Sequence, residues 1–351
     1  MEITIKPYSA EYAGQCAELE KFLWKEDKHG REERFKWEYT DCPNYDHPLC
    51  VIAVNEENEV LGFRGYFINK FKISKNVVRI AQLADTVVSD KARRMGIFQK
   101  MTEFSLKYLS DNEISLILNL SPSWPPYHGY KKFGFEDLAP FHSKYRFSLI
   151  NLVVQKVCRN DRTDWINKQE FTRSDVGLEF HLCQNITDDV LKNVEALRHT
   201  DKINSYLDFS NLKWRTKHPN GRYVYAYATN SDGRLLSFMM LSTFDYYTYH
   251  LGLLLYDDLK TSKRIFKTFV REYKPAIIAA WDFAVEDRER KFFSQSGFHS
   301  IPFINRIRKN PPALVRTLQK NEDGSLDWCV NGLDIRKVEN WNLSKLDLDS
   351  F

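Results

Sequence analysis

Residues 90–98 read DKARRMGIF, placed between the apolar run LADTVV (83–88) and a segment with helical spacing. In that segment Ile97, Phe98, Met101, Phe104, Tyr108 and Leu109 recur at intervals of three and four, which predicts an amphipathic helix. The stretch therefore joins a strand end to a helix start. Unpaired amides and the positive end of the helix dipole point outward there and favour an anion by about 0.3–2 kcal/mol. Arg93 and Arg94 add charge-assisted donors. Gly96 lets the backbone approach a bulky phosphate where a Cβ would stand in the way. An ordinary solvated turn has the same composition, so the surrounding sequence has to decide.

Outward from the loop, the first 150 residues alternate strand and helix signals. EITIK (2–6) predicts a strand, AEYAGQCAELEKFLW (10–24) a helix, and REERFKWEY (31–39) a second helix closed by Pro43. LCVIAV (49–54) and VLGFRGYFI (60–68) predict a hairpin across NEENE, followed by VVRIAQLADTVV (77–88). Beyond the amphipathic helix, ISLILNL (114–120) predicts a buried strand, PPYHGYKKF (125–133) a short helix opened by prolines, and PFHSKYRFSLINLVV (140–154) another strand.

The second half repeats this order. FKWEYTDCPN (35–44) is answered by LKWRTKHPN (212–220), NEVLGFRGYF (58–67) by GRLLSFMMLS (233–242), Ile97-Phe98 by Ile265-Phe266, and FGFE (133–136) by SGFH (296–299). The offsets of 177, 175, 168 and 163 fall steadily, as a tandem duplication with shortened loops requires. The expected organisation is a domain over 1–150, a linker over 151–177, a second domain over 178–305 and a tail over 306–351.

Composition sets outer bounds. Hydrophobic content of 43%, 28% charged residues and a net charge of +4 describe a globular chain without the cationic excess of a nucleic-acid binder. Its six cysteines form no CxxC pair and no zinc-like spacing with His, so free thiols and no metal site are expected. The N-terminus lacks a secretory pattern, and AIIAAWDFAV (276–285) is too short to span a bilayer, so the expectation is a cytoplasmic protein with no membrane span.

The loop pattern R-x-x-G, met by Arg93 and Gly96, and the later Y-x-x-x-G-F, met by Tyr130, Gly134 and Phe135, together resemble the GNAT superfamily of acyl-CoA-dependent N-acetyltransferases. The resemblance covers residues 1–150 and departs at Phe98, where the common pattern has Gly or Ala. It implies an α/β fold of tandem GNAT-like domains, each a mixed, mostly antiparallel sheet flanked by helices and splayed at a CoA cleft. It further implies that Thr86, Val87 and Val88 offer backbone groups to the pantetheine arm of acetyl-CoA, the acyl donor. Arg93 and the amides of Arg94, Met95, Gly96, Ile97 and Phe98 would hold the pyrophosphate, with Asn119 on the opposite wall.

Acetyl transfer needs a neutral amine and a proton for the departing thiolate, and an alkyl ammonium of pKa about 10.4 costs roughly 4–5 kcal/mol to deprotonate at neutral pH. The resemblance places Tyr130 beside the cofactor sulfur as general acid; simple aromatic packing is the alternative. Asp85, a carboxylate inside an apolar run, is a candidate base or amine-binding group, or else the partner of a nearby Arg or Lys. Tyr127 and His128 are weaker candidates for acceptor contacts, since PPYHGY also reads as a capped helix turn. Carried across the repeat, Arg93 faces Thr261, Gly96 faces Arg264, Asp85 faces Leu253 and Tyr130 faces Phe293. The second copy is therefore expected to bind no CoA and to shape an acceptor pocket or an interface. The expected activity is N-acetylation of a small-molecule amine, an amino sugar or nucleotide-linked amino sugar first. A Fem-like aminoacyl transferase using aminoacyl-tRNA and a non-catalytic CoA-binding or assembly module remain as alternatives. The aromatic-rich second half suits sugar stacking, a core or a homodimer interface equally.

Overall fold

The computed structural model describes residues 2–158, 170–175, 177–243, 245, 247–301, 310–348 and 351. In chain order the first half runs β1 (Ile3–Pro7), α1 (Ala13–Leu19), α2 (Lys28–Phe35), β2 (Val51–Asn55), β3 (Val60–Ile73), β4 (Asn76–Val88), α3 (Ile97–Asp111), β5 (Leu116–Asn119), α4 (Trp124–Lys132), β6 (Glu136–Ala139), β7 (Ser143–Phe147) and α5 (Leu149–Cys158). The second half runs β8 (Phe171–Asp175), β9 (Leu178–Cys183), α6 (Asp188–Asn193), β10 (Asn204–Ser205), α7 (Phe209–Arg215), β11 (Tyr223–Asn230), β12 (Leu235–Thr243), β13 (Thr248–Tyr256), α8 (Leu259–Tyr273), β14 (Ile277–Trp281), α9 (Asp287–Gln295), β15 (His299–Ser300) and β16 (Ala313–Thr317). The stretch read as one strand over 140–154 is divided. From Leu149 it is helical, because Ser148 caps the turn by accepting the amide of Asn151 on its hydroxyl.

These elements form two eight-stranded sheets. The first has the order β1-β2-β3-β4-β5-β16-β6, with β10 on β3; the second has β15-β7-β14-β13-β12-β11-β9-β8. In each sheet one neighbouring pair is parallel, β4 with β5 and β13 with β14, and the other described pairs are antiparallel. Pairing stops at Gln82↔Leu118 in the first sheet and at Leu251↔Ala280 in the second, although β4 and β13 both run on. Each sheet thus splits at its parallel pair. A bulge lies just past each split: Ala84 and Asp85 stand opposite Gly65, and Gly252 is the extra residue on β13.

Two strands have changed sheets. β7 follows β6 in the chain yet pairs with β14 and β15, while β16 lies between β5 and β6. The boundaries expected at 150 and 306 therefore do not follow the sheets: residues 143–147 belong to the second sheet, and the tail supplies an inner strand of the first. Ala313, Leu314 and Val315 are fully buried there. At about 1.5–3 kcal/mol for each large apolar side chain, burial of Leu314 and Val315 favours the first sheet by about 3–6 kcal/mol.

The repeat is visible as contact as well as topology. Trp37 and Trp214, matched at offset 177, stack with centroids 4.9 Å apart. Each indole Nε1 donates to the other's backbone carbonyl, at 3.0 and 2.9 Å, as two copies meeting about a pseudo-twofold axis would arrange it. At the helices the matching needs correction. Buried Ile97, Met101, Thr102, Ser105 and Leu109 of α3 correspond to buried Thr261, Ile265, Phe266, Phe269 and Tyr273 of α8, an offset of 164. The match of Ile97-Phe98 with Ile265-Phe266 was one helical turn out of step, so Ile97 faces Thr261 and Gly96 faces Lys260.

Candidate active site

The loop of residues 90–98 stands past the split of the first sheet, where α3 begins. Gly96 is the N-cap at φ 71°, in the left-handed region, and no side chain caps the helix. A Cβ at Gly96 would meet nothing within 4 Å, so glycine is required here by the backbone conformation and not by crowding. Arg94 shares the left-handed conformation at φ 67°. Its neighbour Arg93 reaches back to Asp90 at 2.7 Å, both side chains being exposed, and Met95 is exposed too. The first amides of α3 are therefore free of internal caps, and the first turn carries no acidic residue. These features fit a diphosphate: an open bend, uncapped amides and two arginines. On α8 the corresponding position is occupied from within, since the carboxylate of Asp258 accepts the amide of Thr261 at 2.7 Å.

Beneath the loop, Ile97 is buried while the ring of Phe98 reaches across to α4. A Cβ on Gly129 would lie 2.6 Å from Phe98, and the Phe98 and Tyr130 rings are 5.3 Å apart. Tyr130 is buried against Phe135 and against the guanidinium of Arg64, 5.2 Å from the ring centroid. Arg64 was not singled out in the sequence. It is fully buried on β3, donating Nε to the Tyr66 hydroxyl at 2.8 Å and Nη1 to Thr102 Oγ1 at 2.9 Å, while Nη2 has no partner among the described residues. Burial pulls this guanidinium's pKa down, the Tyr130 and Tyr66 hydroxyls push it up, and the net direction is upward. The available signal was a lone cation inside the apolar run VLGFRGYFI.

The remaining expected positions fall on both walls of the split. Thr86 pairs with Arg64 across β3 and β4, its Oγ1 buried without a partner among the described residues. Val87 packs with α1 and α2, and Val88 against α3. Asn119, buried at the end of β5, accepts the amide of Ser121 on Oδ1 at 3.1 Å. Tyr127 is drawn away from the split, donating to the Asp137 carboxylate at 2.9 Å, and His128 sits among Tyr127 and Trp124.

Asp85 is not a free base. Both of its oxygens are engaged: Oδ1 accepts the Trp24 indole at 2.9 Å, and Oδ2 accepts Arg34 at 3.0 Å and the Tyr39 hydroxyl at 3.2 Å. Arg34 also donates to Glu20 and Glu38, each at 2.8 Å, so one guanidinium serves three buried carboxylates. Burial first and the Asp85 charge second push Glu20 up to about 10. Burial thus favours the neutral form of Glu20. Gly65 makes room for it, since a Cβ there would strike the Tyr39 hydroxyl. Nearby His218 is held neutral, its pKa lowered to about 3 by burial and by Arg215 and Arg34.

A cavity of about 840 Å³ opens between the end of β5 and the second sheet. Trp124, Phe141, Tyr145 and Trp281 furnish aromatic walls, and among the described residues no carboxylate lines it. Lys345 lies 2.6 Å from Nδ1 of His250 on its wall. The hydroxyl of Tyr145, a residue only 7% exposed, has no partner among the described residues.

Comparison with known proteins agrees with this architecture. Residues 4–137 match the family model described as the acetyltransferase (GNAT) domain. No curated protein matches the chain by sequence. Among solved structures, a protein of unknown function from Enterococcus faecalis V583, described as a probable N-acyltransferase, is similar at TM-score 0.64 and 11% identity over 91% of this chain and 73% of its own. A tandem GNAT protein from the clavulanic acid biosynthesis pathway is similar at TM-score 0.53 and 11% identity, over 92% of this chain and 100% of its own. The N-myristoyltransferase of Saccharomyces cerevisiae is similar at TM-score 0.53 and 10% identity, over 97% and 84%. Among the described residues no helix is long and apolar enough to cross a membrane. Residues 4–137 thus carry a GNAT acetyltransferase domain, and a second sheet built on the same plan gives the chain a tandem GNAT-like fold.

Proposed function

We propose that this chain transfers an acetyl group from acetyl-CoA to the amine of a small acceptor, an amino sugar or a nucleotide-linked amino sugar. The observation that carries the reading is the uncapped start of α3 at Gly96 beside the split of β4 from β5, with the buried Tyr130 below it. Acetyl-CoA supplies an activated acyl group as a thioester. The amides from Arg94 to Phe98 and the side chain of Arg93 would hold its diphosphate, and Thr86, Val87, Val88 and Asn119 would line its path. Tyr130 is assigned the proton delivered to the departing thiolate, its ring backed by the fixed guanidinium of Arg64.

The acceptor preference rests on the 840 Å³ chamber. Aromatic walls suit the faces of a sugar ring, and Lys345 suits a phosphate. Asp85 is reassigned from base to positioning residue, since its three donors fix Trp24 and Tyr39 on the α1–α2 side of the split. One observation favours a second reading, that of a non-catalytic CoA-binding module: Phe98 stands where the family pattern has Gly or Ala and bridges α3 to α4.

The test is thiol release from acetyl-CoA with a panel of aminated sugar nucleotides, aminoglycosides and peptides. Release with an aminated sugar, slowed about 100-fold in Tyr130→Phe while CoA affinity stays within about twofold, is the expected result. Bound CoA without transfer to any amine would establish the binding module instead.

A further inference from the structure

The groove between α8 and α9 has a volume of about 730 Å³ and a floor that includes Leu259, Phe266 and Val270. Its rim carries Arg146, Lys260, Lys263, Arg264, Lys267 and Lys291, against a single carboxylate, Asp258. That carboxylate is already used as the cap of α8. Lys263 is bonded to Gln295, and Arg264 is paired with Asp175. Lys260 lies in the field of Asp258, and Arg146, Lys267 and Lys291 form no salt bridge among the described residues. Arg146 is half-buried beside Gly297. Ser296, on the same wall, has a buried hydroxyl with no partner among the described residues. Like charges gathered over an apolar floor repel one another, and a partly desolvated cation is costly without an anion. Such a lining is stabilised by a ligand that brings several negative charges and a flat apolar portion.

We propose that this groove is a second binding site, separate from the loop at Gly96, for a small molecule carrying two or more phosphate groups on an apolar or heterocyclic body. Side chains hold the phosphates here, because Asp258 already occupies the start of α8. The ligand is not an acyl donor: the split of the second sheet is narrowed to about 40 Å³ by residues 342–345, and Leu343 donates its amide to Ala284 at 2.7 Å. This inference stands apart from the reading of the first domain, since the two sites are removed by different substitutions.

Calorimetric titration of the full chain with inorganic pyrophosphate and with adenosine 3′,5′-bisphosphate tests it. Two classes of site are expected for the bisphosphate. Lys267→Gln with Lys291→Gln weakens one class at least tenfold, and Arg93→Gln with Arg94→Gln weakens only the other. Circular dichroism confirms that the variants are folded, and Arg146→Lys, which keeps the charge, retains the second class. A single class untouched by Lys267→Gln/Lys291→Gln overturns the proposal. So does binding of a short RNA oligomer through these lysines with neither phosphate probe bound.

Discussion

Replacing Glu20 by Gln probes the acidic cluster that holds Asp85. In the folded chain burial and the Asp85 charge push Glu20 up to about 10, whereas its ordinary value is 4.5. The folded state therefore keeps a proton that the unfolded chain releases. For a carboxyl raised in this way the contribution to stability is fully present below the unfolded pKa. It declines by about 1.4 kcal/mol per pH unit above that value, until the folded pKa is reached. At pH 7.5 the accumulated loss is about 4 kcal/mol, a figure set by the unfolded pKa and the pH alone as long as the folded group stays protonated. Gln carries the neutral form at every pH. Its Oε1 can accept from Arg34 as Glu20 Oε2 now does at 2.8 Å, and its Nε2 can donate toward Asp85. The variant should match the parent near pH 4.5 and exceed it by up to about 4 kcal/mol at pH 7.5. Urea denaturation of both chains at pH 5, 6.5 and 8 measures this, with groups common to both cancelling in the difference. A difference independent of pH, or a variant less stable at pH 8, would mean that Arg34 keeps Glu20 ionised and would refute the reasoning.

Other outcomes follow from the same geometry. Trp37→Ala removes a buried indole and leaves the Trp214 carbonyl without its donor, so it should cost about 3–5 kcal/mol by denaturant titration, and a double-mutant cycle with Trp214→Ala should reveal strong coupling. Gly96→Ala should cost about 1–2 kcal/mol through its left-handed backbone and weaken CoA binding at least tenfold by calorimetry; unchanged binding would remove the bend from the cofactor site. Phe98→Ala should tighten CoA binding if the ring blocks the passage between α3 and α4, and equal or weaker binding would clear it of that role. Residues 1–150 expressed alone should fail to unfold cooperatively, because they lack β16, and a cooperative transition would contradict the strand exchange.

Much of the first sheet was legible because its elements carry strong local signals: the period change at Ile97, the hairpin over 49–68 and the prolines opening α4. The loop could be read for the same reason, since an anion site at a helix start is a local property. Strand exchange could not. SKYRF and ALVRT are five-residue strands of ordinary composition, and nothing in a short strand specifies which sheet edge will take it. The helix match failed for a physical reason too. A shift of four residues is about one turn, so Ile265-Phe266 presents the same face as the true counterpart and aligns convincingly. Asp85 was recognised as needing a partner, but the partner lies 51 residues away on α2, and the three-carboxylate arrangement appears only once α1, α2 and β4 are packed. Arg64 is not legible in the sequence, because a buried cation between Tyr66, Thr102 and Tyr130 depends on three separate elements meeting.

The two copies keep one device and use it differently. Each sheet splits at its parallel pair and bulges just past the split, so the backbone opening is common to both copies. In the first copy the helix facing that opening starts uncapped, with a left-handed glycine. In the second, Asp258 satisfies the helix start and residues 342–345 narrow the gap. A duplicate that no longer opens its split would ordinarily be dispensable, yet here it cannot be shed. It houses β7, while the segment beyond it returns β16 to the middle of the first sheet, and the paired tryptophans lock the two helical layers together. The exchange makes the first sheet's integrity depend on the presence of the second. The cationic groove on α8 and α9 takes Arg146 from the exchanged strand β7, so the second copy's own surface is tied to the exchange as well.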